Sequence, residues 1–286
     1  MTTETPSLRE QIIGDADGGI LEAFDPELLR AFDVADQTIP RKLVEPSRVR
    51  LNKGKLRLSG DGIFYTLQGE GVTMGMPAVF LRLHVCNLRC TWCDAYYTWD
   101  PKAEEFWTES YELTVPDTAK RIEACWNDNC SIPKRRLVIT GGEPLLQKEL
   151  VDELINRLPG WEVEIETNGT IMPSDLQLQR CQFNCSPKLT NSDNSERARI
   201  RPEVLKMINH AESQFKFVVM SEKDVEEIER DFGSHIDFDK ILLMPQGVKA
   251  EEVQGNARRV VEIAKRKGYR LLGRLQVDIW GAKRRV

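Results

Sequence analysis

Positive charge is in deficit in this 286-residue chain, where 40 Lys and Arg face 45 Asp and Glu and leave a net charge of −5. A footprint on DNA or RNA needs clustered basic residues, so nucleic acid is excluded as the expected partner and a small substrate is favoured. Long apolar runs are missing as well: no stretch approaches the roughly 18 residues that a membrane-spanning helix requires. Met1-Thr2-Thr3-Glu4-Thr5 lacks the basic and apolar segments of a secretory signal, and the expectation is a cytoplasmic protein with no membrane partner. An evenly spread disulfide framework is absent too. The cysteines number seven, an odd count that suits a reducing compartment, where clustered thiols read as metal ligands. With 41% hydrophobic and 30% charged residues, the chain can still bury a large core in one domain or two.

What is present is a crowded stretch, His84-Val85-Cys86-Asn87-Leu88-Arg89-Cys90-Thr91-Trp92-Cys93-Asp94, in which three cysteines follow the spacing C-x3-C-x2-C after the apolar run Ala78-Val79-Phe80-Leu81-Arg82-Leu83. Three thiolates in so short a loop can hold three corners of a soft metal centre, iron–sulfur or zinc rather than a hard cation. No fourth Cys or His follows within the next turn of chain, so one coordination position is left for something other than the protein. His84 just upstream reads as a half-buried strand residue rather than as that ligand. Of the other cysteines, Cys125 with Cys130 and Cys181 with Cys185 form two close pairs. Each pair is either a second metal site or ordinary buried thiols, and the second reading is the simpler.

Apolar strands are expected at 79–85, 136–140, 163–166, 183–186, 215–220 and 241–244, preceded by 56–58 and 63–66. Helical periodicity falls between most of them, at 114–126, 146–158, 202–211, 222–231 and 250–266. Such alternation predicts a mainly parallel α/β sheet, closed fully or in part as a TIM-like barrel. The interval 96–134 is longer than a usual connection. Residues 1–54 read as an N-terminal extension that is acidic at first and carries a short helix at 26–32, with the core domain spanning 55–286.

In parallel α/β folds the site forms beyond the carboxyl ends of the strands, and the notable polar motifs each follow a strand: Cys86 to Cys93, Thr140-Gly141-Gly142-Glu143-Pro144, Glu166-Thr167-Asn168-Gly169, Ser186-Pro187-Lys188 and Met244 to Gly247. Taken singly, Gly-Gly-Glu-Pro is a helix entry and Glu-Thr-Asn-Gly or Ser-Pro-Lys a turn. Five such motifs in register are harder to set down to turns. Arg82 alternates with apolar neighbours, and an arginine in that setting needs an anion. Either a substrate carboxylate or Glu70 or Glu143 supplies it.

The C-x3-C-x2-C loop with an aromatic residue before its last Cys is similar to the signature of the radical S-adenosylmethionine (SAM) enzymes. Joined by the Gly-Gly-Glu motif, Leu67-Gln68-Gly69-Glu70-Gly71, Glu166-Thr167-Asn168-Gly169, Ser186-Pro187-Lys188 and Trp280-Gly281, it resembles the 7-carboxy-7-deazaguanine synthase family over roughly 56–286. That resemblance implies an incomplete α/β barrel and a homodimer. It also implies a lyase that contracts 6-carboxy-5,6,7,8-tetrahydropterin to 7-carboxy-7-deazaguanine plus ammonia, in 7-deazapurine biosynthesis of the queuosine and preQ0 type. The cofactors it implies are a 4Fe-4S cluster, SAM and Mg2+, with an external electron donor such as flavodoxin.

The resemblance also implies roles for particular residues. Cys86, Cys90 and Cys93 would ligate the cluster. Trp92, Cys93, Asp94, Gly141, Gly142, Glu143, Glu166, Ser186, Pro187, Lys188, Met244 and Gln246 would surround SAM, with room left by the two glycines and the ammonium met by Glu143. Leu67, Gln68, Gly69, Glu70, Arg82, Thr140, Gln276 and the Val286 carboxylate would hold the pterin. The chain departs from the family in two places. Asp94-Ala95 replaces an Asp-Thr pair whose hydroxyl contributes to Mg2+, leaving Asp94, a reaching Thr98 or an additional water to substitute. Gln276 stands where relatives have a His, and Gln cannot serve as an ionisable base. Two alternatives remain beside this reading: a glycyl-radical-enzyme activase acting on a protein, and a non-catalytic metal-binding interaction module.

Overall fold

A computed structural model of the protein describes residues 51, 54–281, 283 and 284. The helix expected at 26–32, most of the N-terminal extension, and Val286 fall outside the described residues. The strands are β1 (Lys55–Leu67), β2 (Pro77–Leu83), β3 (Ser110–Thr114), β4 (Arg135–Gly141), β5 (Trp161–Thr167), β6 (Cys181–Cys185), β7 (Ser213–Val219), β8 (Ile241–Pro245) and β9 (Arg270–Leu271). They form one sheet in the order β3-β1-β2-β4-β5-β6-β7-β8-β9. From β2 to β9 every pairing is parallel. β1 pairs antiparallel with both β2 and β3. The sheet ends at β3 and β9 without joining them, so the barrel is incomplete, as expected.

The two short strands expected at 56–58 and 63–66 are one strand, because β1 continues through a register shift between Leu58 and Ile63. A bulge of this kind bends a strand without ending it. The long interval after the cysteine loop has its own structure: a helix at Glu104–Thr108, then β3, then helix α1 (Val115–Asn129). Thr114 caps α1 by accepting from Asp117 N at 3.2 Å, with Pro116 in the first turn, which satisfies one of the otherwise unpaired N–H groups. Helices α2 (Lys148–Arg157), α3 (Pro202–His210), α4 (Ala250–Lys267) and α5 (Leu275–Trp280) complete the main set.

Period-two alternation divides the parallel strands into two unlike faces. Leu81, Leu83, Leu137, Ile139, Val163, Ile165, Phe183, Phe215, Phe217 and Leu243 point toward the helices and form one buried core with Ile122, Trp126, Leu154, Leu205 and Ile263. Each such side chain contributes about 1.5–3 kcal/mol on leaving water. The intervening residues Arg82, Thr140, Glu164, Glu166, Asn184, Lys216, Val218 and Met244 occupy the other face, and register sets Arg82 beside Thr140, Glu166 beside Asn184, and Val218 beside Met244. A parallel sheet covered by helices on both faces reads as continuous apolar strands. Here the polar face surrounds a cavity of about 560 Å³, within the range of small-molecule sites.

Candidate active site

The cysteine loop leaves β2 through a backbone clamp. Val85 has φ of 77°, a conformation that costs a β-branched residue about 1–3 kcal/mol. It is held there by Val85 N donating to Thr98 O at 3.0 Å and by Val85 O accepting from Glu143 N at 2.9 Å. Gly142 N also donates to Leu83 O at 3.0 Å. A Cβ on Gly141 would stand 2.0 Å from Leu83 O, and one on Gly142 would stand 2.1 Å from Val85 O. The glycines are therefore required by the approach of two backbones, a different reason from the room for methionine expected above. Their effect is to fix the Gly-Gly-Glu turn against the root of the cysteine loop.

Cys86 and Cys90 are buried, and Cys93 is partly exposed beside them, among Leu88, Trp92 and Trp99. Nitrogens point at the sulfurs: Leu88 N lies 3.4 Å and Asn168 Nδ2 3.9 Å from Cys86 Sγ, and Asn194 Nδ2 lies 3.4 Å from Cys90 Sγ. Burial raises the thiol pKa of Cys86 and Cys90 and pushes that of Cys93 up to about 12. Such thiols become good ligands only when a cation offsets their desolvation, and N–H donors to sulfur are the groups that tune an iron–sulfur centre. The donor set fits a three-thiolate cluster. Among the described residues no three His, Cys, Asp or Glu side chains converge on a single ion. A four-iron cluster demands less convergence, since its ligands bind separate irons. His84 is no fourth ligand: fully buried, its ring packs on Phe106 with centroids 4.6 Å apart. Burial and the Arg57 charge push its pKa down to about 3.

The cavity wall also includes Trp92, Asp94, Ser186, Lys188, Met244 and Gln246. Lys188 Nζ donates to Ser186 Oγ at 2.8 Å and lies 5.6 Å from the centre of the Trp92 ring, whose Nε1 donates to Asn191 O at 2.9 Å. Glu143 does not meet the expectation. Its side chain is fully buried and outside the cavity wall. Its carboxylate accepts from Leu145 N at 3.0 Å, Thr167 Oγ1 at 2.9 Å and Asn168 N at 2.7 Å. Glu143 therefore braces Asn168, whose amide faces Cys86, rather than presenting itself to a bound ammonium. Burial nonetheless raises its pKa against those bonds. Pro187 is likewise absent from the wall, which its neighbours Ser186 and Lys188 reach.

Leu67, Gln68, Gly69, Glu70, Arg82, Thr140 and Gln276 line the same cavity. Glu70 is the centre of a buried charge network. It pairs with Lys216 and accepts from Arg274 Nε at 2.8 Å and Gln276 Nε2 at 2.7 Å. Burial opposes its ionisation, but Lys216 and Arg274 outweigh that and hold its carboxyl well below the ordinary range. Arg274 Nη2 reaches on to Asp94 Oδ2 at 2.6 Å. Glu166, expected near SAM, lines the cavity and accepts from Thr140 Oγ1 at 2.7 Å and Gln68 Nε2 at 3.2 Å. Arg82 makes neither ion pair considered from the sequence, since Glu70 and Glu143 have the partners just described. Its guanidinium lies 5.9 Å from the centre of the Phe64 ring and faces the cavity.

Several wall residues escaped the sequence reading. Lys216, between Phe215 and Phe217 in an apolar strand, carried a signal: a lysine there must find an anion. Arg274 and Asn184 carried none, because their partners are remote in sequence. Cys181 and Cys185 belong to the helix-side core, with Cys125 and Cys130 packed against it, away from the cavity. Gly281, Lys283 and Arg284 also line the cavity, while the Val286 carboxylate lies outside the described residues.

Comparison with known proteins agrees with this geometry. Residues 81–212 match the radical SAM superfamily. A 7-carboxy-7-deazaguanine synthase from Pyrobaculum aerophilum is 36% identical over 227 residues, covering 78% of this chain and 94% of that protein. One from Halobacterium salinarum is 32% identical over 257 residues, covering 77% of this chain and 92% of that protein. The crystal structure of QueE from Escherichia coli superposes with a TM-score of 0.58 at 24% identity, covering 77% of this chain and 94% of that one, a likeness of fold. On these matches the chain belongs to the 7-carboxy-7-deazaguanine synthase family of radical S-adenosylmethionine enzymes.

Proposed function

We propose that the cavity takes SAM at its cysteine-loop end and 6-carboxy-5,6,7,8-tetrahydropterin at the end formed by Gln68, Glu70, Arg82 and Thr140. Family membership sets the reaction class: the protein is a lyase that forms 7-carboxy-7-deazaguanine, with a 4Fe-4S cluster and SAM as cofactors. When bound, cluster and cosubstrate supply one-electron chemistry able to take a hydrogen atom from carbon. The protein's own share is to orient and to exclude water.

The observation that carries the pterin reading is Arg82. It is a half-buried strand arginine that faces the cavity near Asp94 but forms no ion pair among the described residues, and a planar guanidinium suits a substrate carboxylate bidentately. Thr140 stands beside it in register, and Gln68 and Glu166, bonded to each other, line the same wall, where the ring's polar edge would lie. Cys86, Cys90 and Cys93 would ligate the cluster, and Trp92, Ser186, Lys188, Met244 and Gln246 would line the SAM site. An external reductant, a homodimer, a cytoplasmic setting and an N-terminal extension at 1–54 belong to the same proposal. Among the described residues no helix is long and apolar enough to cross a membrane.

The test is anaerobic reconstitution. The protein should turn brown, bind about four irons per chain, and convert the carboxytetrahydropterin when given SAM and a low-potential reductant. A colourless zinc protein rejects the cluster, and an intact cluster without product rejects the substrate.

A further inference from the structure

The Mg2+ that the resemblance implies beside the substrate finds no fitting donor set among the described residues. Mg2+ demands near-octahedral oxygen ligands at about 2.0–2.1 Å. Ala95 offers no side-chain oxygen, and the hydroxyl of Thr98 is turned to the backbone, donating to Ala95 O at 2.7 Å. Asp94 is engaged: its Oδ2 accepts from Arg274 Nη2 at 2.6 Å. Arg274 is itself fixed, bonded through Nε to Glu70 at 2.8 Å and through Nη1 to Gly247 O. Glu70, the next carboxylate along the wall, is occupied by Lys216, Arg274 and Gln276. Arg82 faces the same cavity. A dication placed beside Asp94 would meet a carboxylate already bonded to Arg274, in a cavity whose wall also carries the cations Arg82 and Lys216.

We propose that Arg274 takes the cation position beside Asp94, so that this enzyme holds its substrate's carboxylate with fixed guanidinium charge and turns over without a divalent cation. The proposal rests on the reading of the cavity as a pterin site. It assigns Arg274 a place in substrate positioning that neither the motifs nor the relatives' names give it. A guanidinium cannot exchange with solvent, so its charge is present before the substrate arrives and needs no dehydration.

The experiment uses the full chain with its cluster reconstituted, in buffer stripped of divalent cations, assayed for 7-carboxy-7-deazaguanine with and without added Mg2+. The rate should change by less than about twofold, where a required metal would show a far larger response. Stimulation beyond that overturns the proposal. Product under neither condition counts against the pterin reading, and a second measurement then decides the cation question. Mn2+, used as a paramagnetic stand-in, should keep its free six-line spectrum when protein and carboxytetrahydropterin are added. Its immobilisation by the protein, with or without the pterin, overturns the proposal. Arg274→Gln releases Asp94, and this variant should lose turnover in the stripped buffer and regain at least about tenfold on adding Mg2+. Full activity of Arg274→Gln without metal would show that the guanidinium does not fill that role.

Discussion

On the helix side of β6 and β7 stand Phe183, Cys185, Phe215 and Phe217. On the cavity side of the same strands stand Asn184, Gln214 and Lys216, and all seven are buried. The two faces thus differ in chemistry, not in exposure. The helix face is held by non-directional apolar contact, in which stability scales with area removed from water. The cavity face is held by a few directional contacts, such as Glu70 with Lys216, Arg274 and Gln276, in which losing one partner strands another. Substitutions on the first face should cost stability and spare the chemistry, and those on the second should mostly do the reverse.

The largest contrast is between cysteines. Under the proposed ligation each thiolate would bind its own iron, so Cys86→Ala, Cys90→Ala or Cys93→Ala should each abolish both the iron–sulfur absorbance and SAM cleavage. Cys181→Ala and Cys185→Ala, on the helix face, should keep the cluster, and loss of the chromophore in Cys181→Ala would overturn the ligand assignment.

Phe217→Ala should cost about 3–5 kcal/mol through the cavity it leaves, seen as a lower denaturant midpoint. The folded fraction should retain its cluster absorbance and its SAM cleavage rate, and a loss of both per folded molecule would show that the faces are not separable.

Glu70→Gln is the deliberate exception, a cavity-face change that should cost about 3–5 kcal/mol because Lys216 and Arg274 lose their shared anion. Lys216→Met added to it should recover part of that loss, and strict additivity of the two changes would refute the network. The sign with pH follows from the depressed carboxyl of Glu70. Its contribution is present above the ordinary Glu value of about 4.3 and is lost as pH falls through the lower folded-state value. The parent should therefore lose stability on acidification through that window more steeply than Glu70→Gln.

Arg82→Ala is the mildest for the fold. It should leave the unfolding midpoint and cluster spectrum nearly unchanged while raising the substrate requirement by roughly 10–100-fold, the equivalent of a lost charge-assisted pair. An insoluble or cluster-free variant would mean that Arg82 is structural after all.

Much of this was legible in one dimension because its causes are local. Apolar runs at 163–166 and 215–220 gave strands, helical periodicity gave α2, α3 and α4, and three thiols within eight residues, 86–93, need no folding to be neighbours. What escaped was set by distance along the chain. The Gly141-Gly142 pair looked like space for a ligand, but its neighbours are the Leu83 and Val85 carbonyls. Glu143 looked like a ligand group, but Thr167 and Asn168, more than twenty residues away, claim its carboxylate.

The sequence by itself determined the strand–helix rhythm, the cluster loop and the family, since periodicity and short motifs act through neighbours in the chain. The tertiary structure alone decided which carboxylates are free. Asp94 and Arg274 stand 180 positions apart and Glu70 and Arg274 stand 204 apart, and no local pattern records such a pairing. It arises because the parallel sheet brings the ends of its strands to one cavity, where buried charges must find partners or be neutralised.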